Sequence, residues 1–175
     1  MGAKVRSEPM QLSFTRETEL RDSVAAWIGS IWPAAHVADE VGPRWAPADL
    51  VAKASEGDRA TGVLLVSVEL KLRDGRRALA QATLHQLFAD LSYIAMPVGR
   101  ITGTLRADAV KHGVGVLGVH PDGSVECLAD ATPSVPSDAL AMAADEVVTE
   151  SARGTRPAVP IGGSRGGTPP LVTAP

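Results

Sequence analysis

The sequence predicts an α/β fold, and three observations carry that reading. Leu20, Val24, Trp27, Ile28 and Ile31 recur at helical spacing, the mark of an amphipathic helix. Val63-Leu64-Leu65-Val66-Ser67-Val68 is a short, nearly continuous apolar run, as a buried strand requires. Turn-forming Gly, Pro and Asp residues separate such segments into the order α-β-β-β-α-β-α-β-β.

Each element has a local cause. Residues 1–12 lack periodicity and are expected to be a frayed leader. Thr15 is the expected N-cap of a first helix, which Pro33 stops after Trp32. Strands are expected over 36–41 and 47–52, with Gly42-Pro43 turning between them. Ser55-Glu56-Gly57-Asp58 is turn chemistry and leads into a long strand over 62–72. Asp74-Gly75 ends that strand, and the good helix formers of 76–90 predict a second helix. A strand over 92–96 ends at Pro97, and a short helix over 105–112 ends at Gly113. Strands 114–120 and 124–128 flank Pro121-Asp122-Gly123, which has the composition of a hairpin turn.

The composition divides the chain into a domain over 1–130 and a Pro-, Gly- and Ala-rich segment over 131–175. The latter offers little apolar surface to offset its ordering entropy and is expected to be largely disordered. Its alanine-rich stretch, 137–153, has the makings of a marginal helix. The net charge of −3 excludes coating of nucleic acid by global charge but not a local basic site. A single cysteine, Cys127, excludes an internal disulfide, and a reduced, half-buried strand position is expected for it. The four histidines show no metal-ligand spacing. No apolar run is long enough to span a bilayer, so no membrane partner and a cytoplasmic location are expected.

The chemistry concentrates at Glu69-Leu70-Lys71, where the apolar strand ends. Alternation puts Glu69 and Lys71 on one face, about 7 Å apart along the strand. Charge on an apolar strand is costly unless it has partners or a use. Asp49 offers a further carboxylate on the strand before. Asp49 and Glu69, with the Leu70 carbonyl, are oxygen ligands suited to Mg²⁺ or Mn²⁺. Lys71 is placed to orient water or to stabilise developing negative charge. Glu17 lies on the edge of the first helix's stripe, where a charge favourable to the first helical turn is an equally simple reading. Glu40 is expected to be solvated or paired. Arg44, Arg73, Arg76 and Arg77 flank the site as candidate phosphate ligands.

Ala46-Pro47-Ala48-Asp49-Leu50-Val51-Ala52, Val68-Glu69-Leu70-Lys71-Leu72 and the helix and strand that follow resemble the PD-(D/E)xK, or restriction-endonuclease-like, nuclease superfamily, and the later 113–119 stretch and Asp122-Gly123 look like continuations seen in its small bacterial members. The resemblance covers about two thirds of the chain. It implies a mixed central sheet flanked by helices, built as an αβββαβ nuclease core plus a C-terminal β-hairpin. Asp49, Glu69 and Lys71 would be catalytic, with Asp49, Glu69, Leu70 and Glu17 holding Mg²⁺ or Mn²⁺. Gln81 matches the glutamine of the family's Gln-x-x-x-Tyr helix motif, as a further catalytic residue. His85 stands where that motif has tyrosine. The implied activity is phosphodiester hydrolysis on nucleic acid, as a DNA endonuclease or DNA-processing protein. The alternative is an inactive module of the same fold that binds nucleic acid or protein in a regulatory role. A site of this size acts on one strand, so cutting two would need a homodimer or two encounters.

Overall fold

A computed structural model describes residues 14–55 and 63–154. The expected leader over 1–12, most of the 55–58 turn and the chain beyond 154 lie outside those residues. The elements are α1 (Thr18–Ile31), β1 (His36–Val41), β2 (Ala48–Ala54), β3 (Leu64–Leu70), α2 (Gly75–His85) and β4 (Leu91–Pro97). They continue with a 3₁₀ turn (Val98–Arg100), α3 (Gly103–Lys111), β5 (Gly115–Val119), β6 (Val125–Ala129) and α4 (Asp138–Ala152).

The six strands form one sheet in the order β1-β2-β3-β4-β5-β6. β1, β2 and β3 are mutually antiparallel, β3, β4 and β5 are parallel, and β6 returns antiparallel to β5. The α2 crossover allows the parallel β3–β4 pairing, which no tight turn can make. Every residue of β3 and of β5 is buried, in keeping with their apolar sequences.

The two sheet faces carry different helices. On one, Leu20, Val24 and Ile28 of α1 pack over Val66, Val68, Leu70, Tyr93 and Leu117. On the other, Ala78 and Ala82 of α2 and Leu105 and Ala109 of α3 meet Ile94, Met96 and Val116. Beside them, Ala144 and Val148 of α4 pack with Ala38, Val51, Leu65 and Phe88. Gly42 is required where the chain turns out of β1: its φ is +129°, and a Cβ there would lie 2.9 Å from the Phe88 ring.

Three expectations are corrected. Residues 138–152 are a docked helix instead of part of a disordered tail, and the approach to it is pinned. Ser134 and Ser137 donate their backbone N–H groups to Asp90 O and Leu87 O. α1 begins at Thr18, after Thr15: the Thr15 N–H and hydroxyl both donate to the Glu19 carboxylate. Cys127 is exposed on β6 and not half-buried, because that edge strand has only one neighbour.

Candidate functional site

The register of β2 against β3 builds the site. Leu50 pairs with Val68, so Asp49, one residue before Leu50, comes to stand opposite Glu69, one residue after Val68. Like charges directly opposite on neighbouring strands repel, and both of these are buried: Glu69 is 1% exposed and Asp49 7%. Glu40 of β1 falls at the same level, between the pairs Asp39–Leu50 and Val41–Ala48, and has a left-handed φ of +52°. A non-glycine residue in that region stores strain of the kind that gathers at functional sites.

Lys71 answers the carboxylates. Its Nζ donates to Glu69 Oε1 at 2.6 Å and to the Leu70 carbonyl at 2.7 Å. Asp49 Oδ2 lies 3.6 Å from it and Glu17 Oε2 3.7 Å. The backbone fixes both partners: Leu70 N–H donates to Asp49 Oδ2 at 2.8 Å, and Lys71 N–H to the Ala95 carbonyl at 3.2 Å. Glu17, at the N-cap position of α1, makes no side-chain cap and reaches across the sheet end to Lys71 instead.

The electrostatics follow from burial. Loss of hydration pushes the Asp49 carboxyl up to about 8, and the charge of Glu69 adds to this. Glu69 is likewise raised, first by burial, with Lys71 opposing. Burial alone would depress Lys71, yet Asp49 and Glu69 more than offset it and hold the ammonium above its usual value. Beneath Glu69 lies His85, fully buried on α2, its Nε2 3.9 Å from Glu69 Oε2. Glu69 Oε2 and both His85 ring nitrogens lack a hydrogen bond of good geometry, though the Pro47 backbone is near enough to the ring to favour its proton and Asp49 is near enough to Glu69 to share one. Burial lowers the His85 ring to about 3, so it is neutral, and it sits against Phe88 with ring centroids 5.6 Å apart.

A hard divalent cation is a sound test of this donor set. Asp49, Glu69 and the Leu70 carbonyl supply the oxygen ligands that Mg²⁺ takes, and the buried Glu69 Oε2 has no donor of good geometry. The residues fit an ion that keeps several waters. They do not form an all-protein cage: among the described residues no group of three or more His, Cys, Asp and Glu side chains is set to hold a metal. Glu17, expected among the ligands, meets the Lys71 ammonium.

The remaining candidates scatter. Gln81 Oε1 accepts from Arg77 Nε at 3.2 Å on α2. Arg76 and Arg77 are exposed at the start of that helix, where the N-cap Asp74 accepts from Arg77 N–H, and Arg44 is exposed after β1. Arg73 enters the wall of a cleft of about 470 Å³ at the C-terminal ends of β3, β4 and β5. That cleft also contains Arg100, which the sequence reading did not single out. Its only signal is position, three residues after the proline that ends β4.

No protein-family model matches the chain, and no curated protein matches it significantly. Among solved structures it is similar to a protein of unknown function from Silicibacter pomeroyi, with a TM-score of 0.53 and 15% identity, over 76% of this chain and 84% of that one. At such identity the likeness is one of fold, an α/β architecture. No helix among the described residues is long and apolar enough to cross a membrane.

Proposed function

We propose that the chain hydrolyses phosphodiester bonds in nucleic acid, as a PD-(D/E)xK-type protein dependent on Mg²⁺ or Mn²⁺. The observation that carries this reading is the convergence of Asp49, Glu69 and Glu17 on Lys71 Nζ at the sheet end. Two carboxylates set opposite each other in a nearly dry position cost stability. Asp49, Glu69 and the Leu70 carbonyl would hold the ion. It would polarise a phosphoryl oxygen and make bound water acidic enough to attack.

The side chains divide the remaining work. Lys71 places a positive N–H donor where a non-bridging oxygen gains charge in the transition state. Neutral His85 occupies the volume behind Glu69 without adding a competing charge.

A second reading, an inactive binding module, is favoured by one observation: Lys71 already stands among the acids as an internal counter-cation. One assay separates the two. Purified protein is incubated with single- and double-stranded DNA and with RNA, in Mg²⁺ or Mn²⁺, beside Asp49→Ala and Lys71→Ala. The expected result is cutting that EDTA abolishes, with Lys71→Ala slower by about 10²–10³-fold. Wild-type cleavage no greater than that of either variant refutes hydrolysis at this site.

A further inference from the structure

The cleft beside the charged cluster has its own chemistry. Its walls come from four segments: Phe14-Thr15 before α1, Leu72-Arg73 after β3, Pro97–Arg100 after β4, and Val119 with Pro121 after β5. The first two are close to the catalytic candidates in sequence, Thr15 two residues before Glu17 and Leu72 directly after Lys71, but none of Glu17, Asp49, Glu69 and Lys71 lines the cleft. Phe14, Leu72, Pro97, Val98, Val119 and Pro121 give it an apolar lining. Arg73 and Arg100 are exposed and have no carboxylate partner among the described residues.

The volume, about 470 Å³, falls within the roughly 300–1,000 Å³ of small-molecule sites. It suits one nucleotide and is too small for a duplex, whose major groove alone is about 12 Å wide. An aromatic face on which a base stacks, here Phe14, beside cations that accept backbone phosphates, is the combination by which single strands are held. We propose that this cleft receives one unstacked nucleotide of a single-stranded nucleic acid, its base against the apolar wall and its flanking phosphates on Arg73 and Arg100. The assignment rests on the phosphodiesterase reading, because it takes the cleft to hold part of the same nucleic acid that the charged cluster would cut. It makes single strands, frayed ends or flaps the preferred substrates.

Gly99 supplies a steric test, since a side chain there would meet nothing within 4 Å and would grow into open space at the cleft. Binding of a short labelled oligothymidylate, its RNA counterpart and a blunt hairpin duplex is measured by anisotropy in EDTA. The full-length wild type is compared with Arg73→Ala, Arg100→Ala and Gly99→Trp. The expected result is single-strand binding in excess of duplex binding, lost in Gly99→Trp. Each arginine variant should reduce the slope of log K against log salt by about 0.7. The DNA and RNA arms show which sugar the cleft accepts. Equal binding by wild type and all three variants overturns the assignment, as does duplex preference or no single-strand binding by wild type. Without divalent ions no cutting enters the measurement. Single-strand binding with these variant effects, but without metal-dependent cleavage, overturns hydrolysis and leaves the cleft assignment standing.

Discussion

Asp49 shows how a single side chain links stability to chemistry. Its folded value is raised by burial and by Glu69, so the folded state binds that proton more tightly than the unfolded chain does. Stability from this proton is complete below about pH 4, the unfolded range, and is lost as pH rises through the folded value near 8. Metal-free protein should therefore lose thermal stability across that window, and Asp49→Asn should flatten the dependence. At the alkaline end, where the wild type must keep two facing buried carboxylates charged, the variant should have the higher Tm, by about 2–4 °C for each kcal/mol gained. Thermal denaturation in EDTA measures this; an asparagine variant that melts lower than wild type throughout would contradict it. Gly115 makes a second residue-scale case, since a Cβ there would overlap the ring of fully buried Tyr93. Gly115→Ala should cost about 1–3 kcal/mol, read from urea unfolding, and an unchanged midpoint would mean that the ring has room to move. The charged trio was legible because strand alternation and one apolar run marked it. His85 was not, for its isolation under Glu69 depends on α2 being pressed onto β3.

At the scale of elements, α4 is the instructive one. Its sequence is mostly alanine and charge, and nothing local says that it docks. The cause lies elsewhere: β1 and β2 expose an apolar face with Ala38 and Val51, and Lys53 there pairs with Asp145 and donates to Thr149 at 3.0 Å. Removing residues 133–154 should uncover that face and lower stability by about 1.5–3 kcal/mol for each large aliphatic side chain exposed. Differential scanning calorimetry of the truncated chain checks this, and an unshifted melting temperature would show the docking to be energetically idle. The strands were easier to foresee, because their period and turn residues are local. The cleft was hidden for the opposite reason, with walls drawn from four segments that only the sheet brings together.

For the whole molecule, the mixed sheet explains why chemistry gathers at one end. β3, β4 and β5 are parallel, so their C-terminal ends open together, and α1 brings Glu17 to the same edge. The α/β class and the order of the first nine elements were readable from periodicity and turns. The path of 131–154 was not, because it follows surfaces assembled by distant strands. That path also sets a timetable. Synthesis at about 5–20 residues per second leaves the β1–β2 face bare for several seconds before its covering helix emerges. During that interval the nascent chain presents an apolar surface to any chaperone at the ribosome, and the arrival of α4 is what closes it.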